Sequence, residues 1–361
     1  MICGVGNRTG RDLLKHIGSA MDVFHAATST LSAIRGINDR IIAEIRRPDV
    51  LRRAEKEVYF VEKNRIDCLF IHDNGYPVRM AKDDNMPLLL YLKGNCELNS
   101  RRMVGIVGTR KPTGYGLSMT ESIVDGIAAM SPGAVIVSGL AYGIDIAAHR
   151  NAIRQHLSTV AVLAHGLDRI YPYPHRSTAI EMLQEGGLVT EYPSGTAPER
   201  HHFVQRNRII AGLTDGTIVV ESPEKGGSLI TADIANYLGR DVFAVPGRAT
   251  DICSQGCNRL ISSNKAGLIT SADDLLYGMN WDPIVGAGKG EPSREDELSH
   301  IDGCNPDDIR VLKLIDKQQG ITIDQMVVEL NMHASDISAI LTKLEIIDCV
   351  RPTSCGGYRL V

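Results

Sequence analysis

The stretch from Met103 to Gly247 constrains this chain more than any other, because short apolar runs, glycine turns and helical patterns alternate throughout it. It begins MVGIVGTRKPTGYG: an apolar run, a turn bearing Gly108, Thr109 and Arg110, then an amphipathic segment reaching Met130. Strand, glycine turn and helix in that order form the phosphate-holding unit of nucleotide folds. Small residues let backbone N–H groups close on an anion, and the helix N-terminus adds partial positive charge. The rhythm predicts strands at Val104–Val107, Ala134–Val137, Thr159–Leu163, Leu188–Thr190, Thr217–Val220 and Asp241–Val245. Helices are expected between them, over 114–130, 143–156, 176–185, 201–213 and 228–238. Near-continuous apolar strands predict burial on both faces, hence an α/β fold with a Rossmann-like, mostly parallel sheet and right-handed crossovers. Ligands of such sheets bind at the carboxyl ends of the strands, so polar motifs about a hundred residues apart should meet at one rim.

Four clusters are expected at that rim. The first is Gly105 to Arg110, where an arginine directly follows a strand-end turn. The second, Ser138-Gly139-Leu140-Ala141-Tyr142-Gly143-Ile144-Asp145, again brings small residues to a strand end. Asp145 fits either a helix cap or a ligand contact there. The third gathers Arg200, His201, His202, Phe203, Arg206, Asn207 and Arg208 around one helix start, a composition suited to an anion. Adjacent histidines point apart and have no partner at ligand spacing, so no metal is expected. The fourth, Glu221 to Ala232, holds Lys225, Gly226, Gly227 and Ser228 in a second glycine loop entering a helix, a pattern for another phosphate in a backbone nest. No nucleophile elbow, no GxxxxGKS/T and no GxGxxG accompanies them, so neither a catalytic set nor a cofactor is expected. Several phosphate sites without hydrolytic machinery suit a chain of phosphates.

The flanks read differently. Residues 1–95 show helical spacing in Leu13, Leu14, Ile17 and in Ile37, Ile41, Ile42, Ile45, with short strands expected at Val58–Phe60, Cys68–Ile71 and Leu88–Leu92. The turns at Gly4-Val5-Gly6 and Arg35-Gly36-Ile37 fit either plain helical turns or a helix-hairpin-helix or SAM-like domain. A central domain is expected over 96–282, and a Gly, Pro and charge-rich linker over 283–303. Residues 304–361 predict three helices, an extended piece at Gly320-Ile321-Thr322 and a hairpin with a Gly-Gly turn, the order of a winged helix. Residues 291–361 hold 7 Lys and Arg against 13 Asp and Glu, whereas residues 1–290 hold 32 against 30. Any polyanion contact is therefore expected in the body of the chain. The eight cysteines follow no framework or zinc spacing. No run reaches the roughly 18 apolar residues of a membrane span, so a cytoplasmic protein without membrane insertion is expected.

The motifs GIVGTRKPTGYG, VSGLAYGIDIAAHRNAI, TVAVLAHGLDRIYPYPH, GGLVTEYPSGTAP, FVQRNRIIAGLTDGTIVVE, KGGSLITADIANYLGRDVFAVPG and QGCNRLISSNKAGLI stand in order over about 101–276. Together they resemble the DNA-processing protein A (DprA/Smf) family of bacterial single-stranded-DNA binders. The resemblance implies a protein that binds and protects single-stranded DNA and hands it to RecA during natural transformation or recombination, acting as a homodimer. It implies that Arg110 is the turn arginine, Arg200 the basic residue ahead of the stacking aromatic Phe203, and Arg206 and Arg208 a further DNA-binding pair. Lys225 and Ser228 then occupy the second glycine loop. A basic groove with a stacking aromatic is also what sequence-independent binding of a single strand needs. The alternative is a nucleotide-hydrolysing enzyme of the lysine-decarboxylase-like (LOG) group, whose loop reads PGGxGTxxE. Here PEKGGSLITAD lacks the closing acidic residue at that spacing.

Overall fold

A computed structural model describes residue 2, residues 4–281 and, within 305–360, all but 319, 320, 331, 347, 348 and 353–356. The expected linker, Cys3, Cys304, Cys355, Gly320 and Gly356 therefore lie outside the described residues. The chain forms two compact units, Met1–Val285 and Gly286–Val361.

The first unit opens with five helices: α1 (Asn7–Ile17), α2 (Ala20–His25), α3 (Thr28–Ser32), α4 (Asp39–Ile45) and α5 (Pro48–Asn64). Leu13, Val23, Leu31, Ile34, Ile37, Ile42 and Ile45 give the region a core of its own. Ser19 and Asn38 cap α2 and α4 by accepting the N–H groups of Asp22 and Ile41, which meets donors a helix start leaves open. The strand expected at Val58–Phe60 is instead the last part of α5. Pro48 at its first turn presets the helical φ, and the charged residues around the β-type triplet are good helix formers.

Then follow β1 (Asp67–Phe70), α6 (Val78–Ala81), β2 (Leu89–Gly94), β3 (Met103–Val107), α7 (Gly114–Met130), β4 (Val135–Ser138), α8 (Ile144–Arg154), β5 (Thr159–Val162) and α9 (Arg176–Glu181). The unit continues with β6 (Gly187–Thr190), α10 (Arg200–Leu213), β7 (Gly216–Val219), α11 (Gly227–Tyr237), β8 (Asp241–Ala244), α12 (Gln255–Ser262), β9 (Gly267–Leu268) and α13 (Ala272–Gly278). The strands form one sheet in the order β1-β2-β6-β5-β4-β3-β7-β8-β9. From β6 to β9 every pairing is parallel, and β2 and β1 extend that edge antiparallel. The boundary expected at residue 95 moves accordingly, because Asp67–Phe70 and Leu89–Gly94 are strands of this sheet rather than of the helical region before it.

Both faces are covered, as the unbroken apolar strands require. Met103 and Val107 of β3 face Ile209, Ile210, Ala232 and Leu260 of α10, α11 and α12. Val104 and Ile106, one register position away, face Ile123, Ile127, Ala148 and Leu275 of α7, α8 and α13. Successive side chains of a strand point to opposite faces, so one pentapeptide feeds two cores.

The second unit has α14 (Pro306–Lys317), α15 (Ile323–Leu330), α16 (Ala334–Ile346) and the antiparallel pair β10 (Val350–Pro352) and β11 (Tyr358–Leu360). Its core gathers Val311, Leu312, Ile315, Met326, Ile337, Leu341 and Leu344. An Asn305/Asp308 capping box starts α14.

Candidate nucleic-acid interface

β3 and β7 are neighbours, yet β4, β5 and β6 were laid down on one side of them and β8 and β9 on the other. Loops leaving two such strands diverge, and the crevice between them is where open α/β sheets bind ligands. Here it is a cleft of about 670 Å³. Its walls are Gly108, Thr109 and Arg110 after β3, Arg200, Phe203 and Asn207 on α10, and Lys225, Gly226, Gly227 and Ser228 leading into α11. Clusters one, three and four thus meet at one rim.

Each wall is fixed from behind. The Thr109 N–H donates to the Glu221 carbonyl at 2.7 Å. The buried Glu221 carboxylate accepts the N–H of Thr113 at 2.9 Å and its hydroxyl at 2.5 Å. Gly116 sits so close to this carboxylate that a Cβ would lie 2.3 Å from it. On the far side Gly143, at φ +80°, leaves room for the Thr109 carbonyl, which a Cβ would approach to 2.2 Å. The Arg110 turn is therefore clamped between the end of β7 and the start of α8. The second glycine turn closes on itself: the Gly226 N–H donates to the Pro223 carbonyl at 3.0 Å, and the Ser228 hydroxyl donates to Ser222 at 2.9 Å. The loop ahead of α10 is tied to α5, where buried Glu57 accepts the Ser194 N–H at 2.8 Å and its hydroxyl at 2.6 Å.

Arg200, Phe203 and Asn207 follow one another at helical three- and four-residue steps, so α10 presents them along one stripe. The Arg110 guanidinium lies 5.3 Å from the Phe203 ring centre, within the range of a cation–π contact. The exposed Tyr171 ring meets Phe203 edge-on at 5.8 Å and 60°. Arg110, Arg200 and Lys225 are exposed and have no ion pair among the described residues. Three open cations around an aromatic pair can grip phosphates and stack a base.

Other expected site residues do something else. Arg206 is 3% exposed; it donates to the Val162 carbonyl at 2.5 Å and packs where a Cβ on Gly139 would stand. Burial pulls its guanidinium down to about 10, against the opposing pull of Asp145. Arg206 borders the cleft floor, though almost wholly buried. Arg208 donates to Glu191 at 2.5 Å and is absent from the cleft walls. Ser138 is buried and donates to the Ile106 carbonyl at 2.6 Å. Asp145 accepts the N–H groups of Gly139 and Ala141 at 3.1 and 3.4 Å, and burial raises its pKa. The Gly139 donor is thus consumed within its own loop, while Ala141 and Asp145 of the second cluster border the cleft. Of the expected contacts, Ser138, Gly139 and Arg208 are absent from the cleft walls, whereas Arg206 lines the cleft from a buried position.

Sequence reasoning missed Tyr171, which lies in Tyr171-Pro172-Tyr173-Pro174 with no periodicity to aim it. It also missed Glu221 as the latch and Glu57 as the tie to α5. Among the described residues no group of three His, Cys, Asp or Glu side chains is placed to hold a metal. None of their helices is long and apolar enough to cross a membrane.

The family described as DNA recombination-mediator protein A matches residues 67–280. Protein Smf of Synechocystis is 32% identical over 96% of this chain and 93% of its own length. The DNA processing protein DprA of Bacillus subtilis is 42% identical over 58% of this chain and 70% of its own. Among solved structures, DNA processing protein A of Streptococcus pneumoniae superposes with a TM-score of 0.59 at 33% identity, covering 76% of this chain and 98% of that one. DNA processing protein A of Helicobacter pylori, whose structure is described as giving a unique single-stranded DNA binding mode, superposes at 0.54 with 30% identity, covering 60% of this chain and 96% of that one. These matches favour DNA processing over the nucleotide-hydrolysing alternative.

Proposed function

The chain belongs to the DNA recombination-mediator protein A family, and from that premise we propose that its cleft binds single-stranded DNA without sequence preference. The observation that carries the reading is the Arg110–Phe203–Tyr171 group at the mouth of the β3/β7 crevice, ringed by Arg200 and Lys225. A base stacks on an aromatic face whatever its identity, and phosphates carry no sequence information, so such a site takes any single strand. A duplex hides its base faces, which favours the single strand over the double. Gly227, exposed and with nothing within 4 Å of where a Cβ would stand, leaves the start of α11 open to a phosphate. Arg206, Asp145 and Arg208 hold the platform rather than the strand.

On this reading the protein performs no chemistry on the nucleic acid: it covers the strand and passes it to a recombinase of the RecA type, working as a homodimer in the cytoplasm. The strand would be DNA taken up in transformation or exposed during recombination. The test is fluorescence anisotropy of the full chain with labelled single- and double-stranded oligonucleotides across a salt series. Preference for the single strand, with affinity falling steeply with salt, is the expected result. Equal binding of duplex, or affinity indifferent to salt, would refute the reading.

A further inference from the structure

Phe203 and Tyr171 do not end the aromatic surface at this rim. Two residues beyond Tyr171, Tyr173 is 75% exposed, and Tyr142, on the loop after β4, is 46% exposed. Exposed rings that form a contiguous patch mark an interaction surface. The two belong to one patch: the Tyr142 ring meets His175 edge-on at 4.9 Å, and His175 shares the short 3-10 turn Tyr173–His175. The buried His175 fixes that turn through a 2.8 Å hydrogen bond with the Leu140 carbonyl. Arg176 follows directly. Arg150 of α8 reaches the same place, its Nε donating to the Thr178 hydroxyl at 3.3 Å. Arg150 and Arg176 are both exposed, and neither has an ion pair among the described residues. The nearby Asp168 carboxylate is already held by the Gly195 N–H at 2.8 Å and by Arg169 at 2.8 Å.

Two exposed aromatics with two arginines that have no ion pair among the described residues repeat the make-up of the cleft, and Tyr171, which borders the cleft, stands two residues before Tyr173 in the chain. We propose that the turn at 171–176 and the adjoining faces of α8 and α9 form a second single-strand subsite, which takes the nucleotides flanking those in the cleft. Tyr142 and Tyr173 supply stacking faces there, and Arg150 and Arg176 supply phosphate contacts. The proposal rests on the single-strand reading of the cleft, and it adds a direction: the strand leaves the cleft past Tyr171 toward β5 and β4 rather than toward β8.

The test measures affinity of the full chain for oligothymidylates of about four to twenty nucleotides, for the wild type and for the double variants Tyr142→Ala/Tyr173→Ala and Arg150→Ala/Arg176→Ala. All four positions are exposed, so the fold should be retained, as circular dichroism will check. Expected is unchanged affinity for the shortest oligonucleotides that bind and a loss of roughly fivefold or more for long ones, since a stacked base contributes about 1–3 kcal/mol. The length at which affinity stops rising should fall by two or three nucleotides. The arginine pair should also flatten the salt dependence on long strands by about 1.4 in log–log slope, the share of two phosphates. Tyr142→Phe/Tyr173→Phe should restore wild-type behaviour. Equal losses on short and long strands would place these residues in the cleft itself and overturn the subsite, and so would no loss on either. Failure of the wild type to bind any length would instead remove the single-strand reading.

Discussion

Around the cleft, Arg110, Arg200 and Lys225 stand without an ion-pair partner among the described residues, each on or beside a loop at a strand's carboxyl end. In the C-terminal unit, Lys343 of α16 lies 2.5 Å from Asp308 and Arg310 of α14 lies 3.1 Å from Asp307. Cations occur in both places, but Lys343 and Arg310 are already paired, whereas those of the cleft have no ion pair among the described residues. The count of charges in a segment therefore matters less than which of them the fold has already neutralised. The same distinction divides α10 against itself, since Arg200 is open while Arg206 and Arg208, two turns later, are spent on Val162 and Glu191.

Arg206→Ala should do the most damage. Removing a buried cation would strand the Val162 carbonyl and take away the strongest favourable charge acting on Asp145, so a stability loss of about 3–5 kcal/mol in urea unfolding is expected. If the variant were as stable as wild type and merely flattened the salt dependence of DNA binding, Arg206 would belong with the open cations.

Phe203→Ala comes next. It should weaken single-strand binding by about 1–3 kcal/mol through lost stacking while leaving the unfolding midpoint little changed, because the ring is partly exposed at the cleft. Unaltered affinity in a folded variant would remove the aromatic platform from the site. Smaller again is the effect of Arg110→Ala, Arg200→Ala or Lys225→Ala taken singly. Each should lower affinity for all sequences alike and reduce the log–log salt slope by about 0.7, one phosphate's share on a single strand. Arg208→Ala, by contrast, should leave that slope where it is. A slope change in Arg208→Ala equal to that in Arg200→Ala would erase the line drawn between open and neutralised arginines.

Much of this was legible beforehand, and particular residues say why the rest was not. The helix over 114–130 and all six central strands announced themselves because apolar periodicity reports burial, and burial builds the sheet. Val58, Tyr59 and Phe60 read as strand by composition, yet Val58 and Tyr59 are 55% and 65% exposed on a 17-residue helix. Their β-type preference had no partner strand to satisfy it, so the helical neighbours decided. Arg206 is buried although an arginine usually lies outside. Its position three and four residues before the buried Ile209 and Ile210 put it on the inner face of α10, and that spacing was readable. Tyr171 was not readable at all, since its contact with Phe203 joins loops of β5 and α10 through the fold alone. Glu221 likewise acts across a separation in sequence of 108 residues from Thr113.

The smallest expected effect tests the other half of the comparison. A chain ending near Pro283 lacks the second unit, whose core of Val311, Leu312, Ile315, Met326 and their neighbours is its own. Duplex-reading helices need cations facing the phosphate backbone, which supplies most of the affinity. Here α15 carries Asp324 and Glu329 with no cation, and α16 carries Asp336 and Glu345 against Lys343 alone, which Asp308 already holds. An acidic surface raises the electrostatic energy of an approaching phosphate, so the unit should contribute little to DNA affinity and is better suited to a protein contact or a regulatory role. Truncation should therefore leave single-strand affinity within about threefold of the full chain, under 1 kcal/mol since tenfold is 1.4. The salt slope should also stay the same, because every open cation of the cleft remains. A collapse of affinity in a fragment whose circular dichroism and unfolding midpoint are intact would make the second unit a DNA-binding element. Arg351 and Arg359 on β10 and β11 would then be the first positions to examine, as the cations that its acidic helices do not carry.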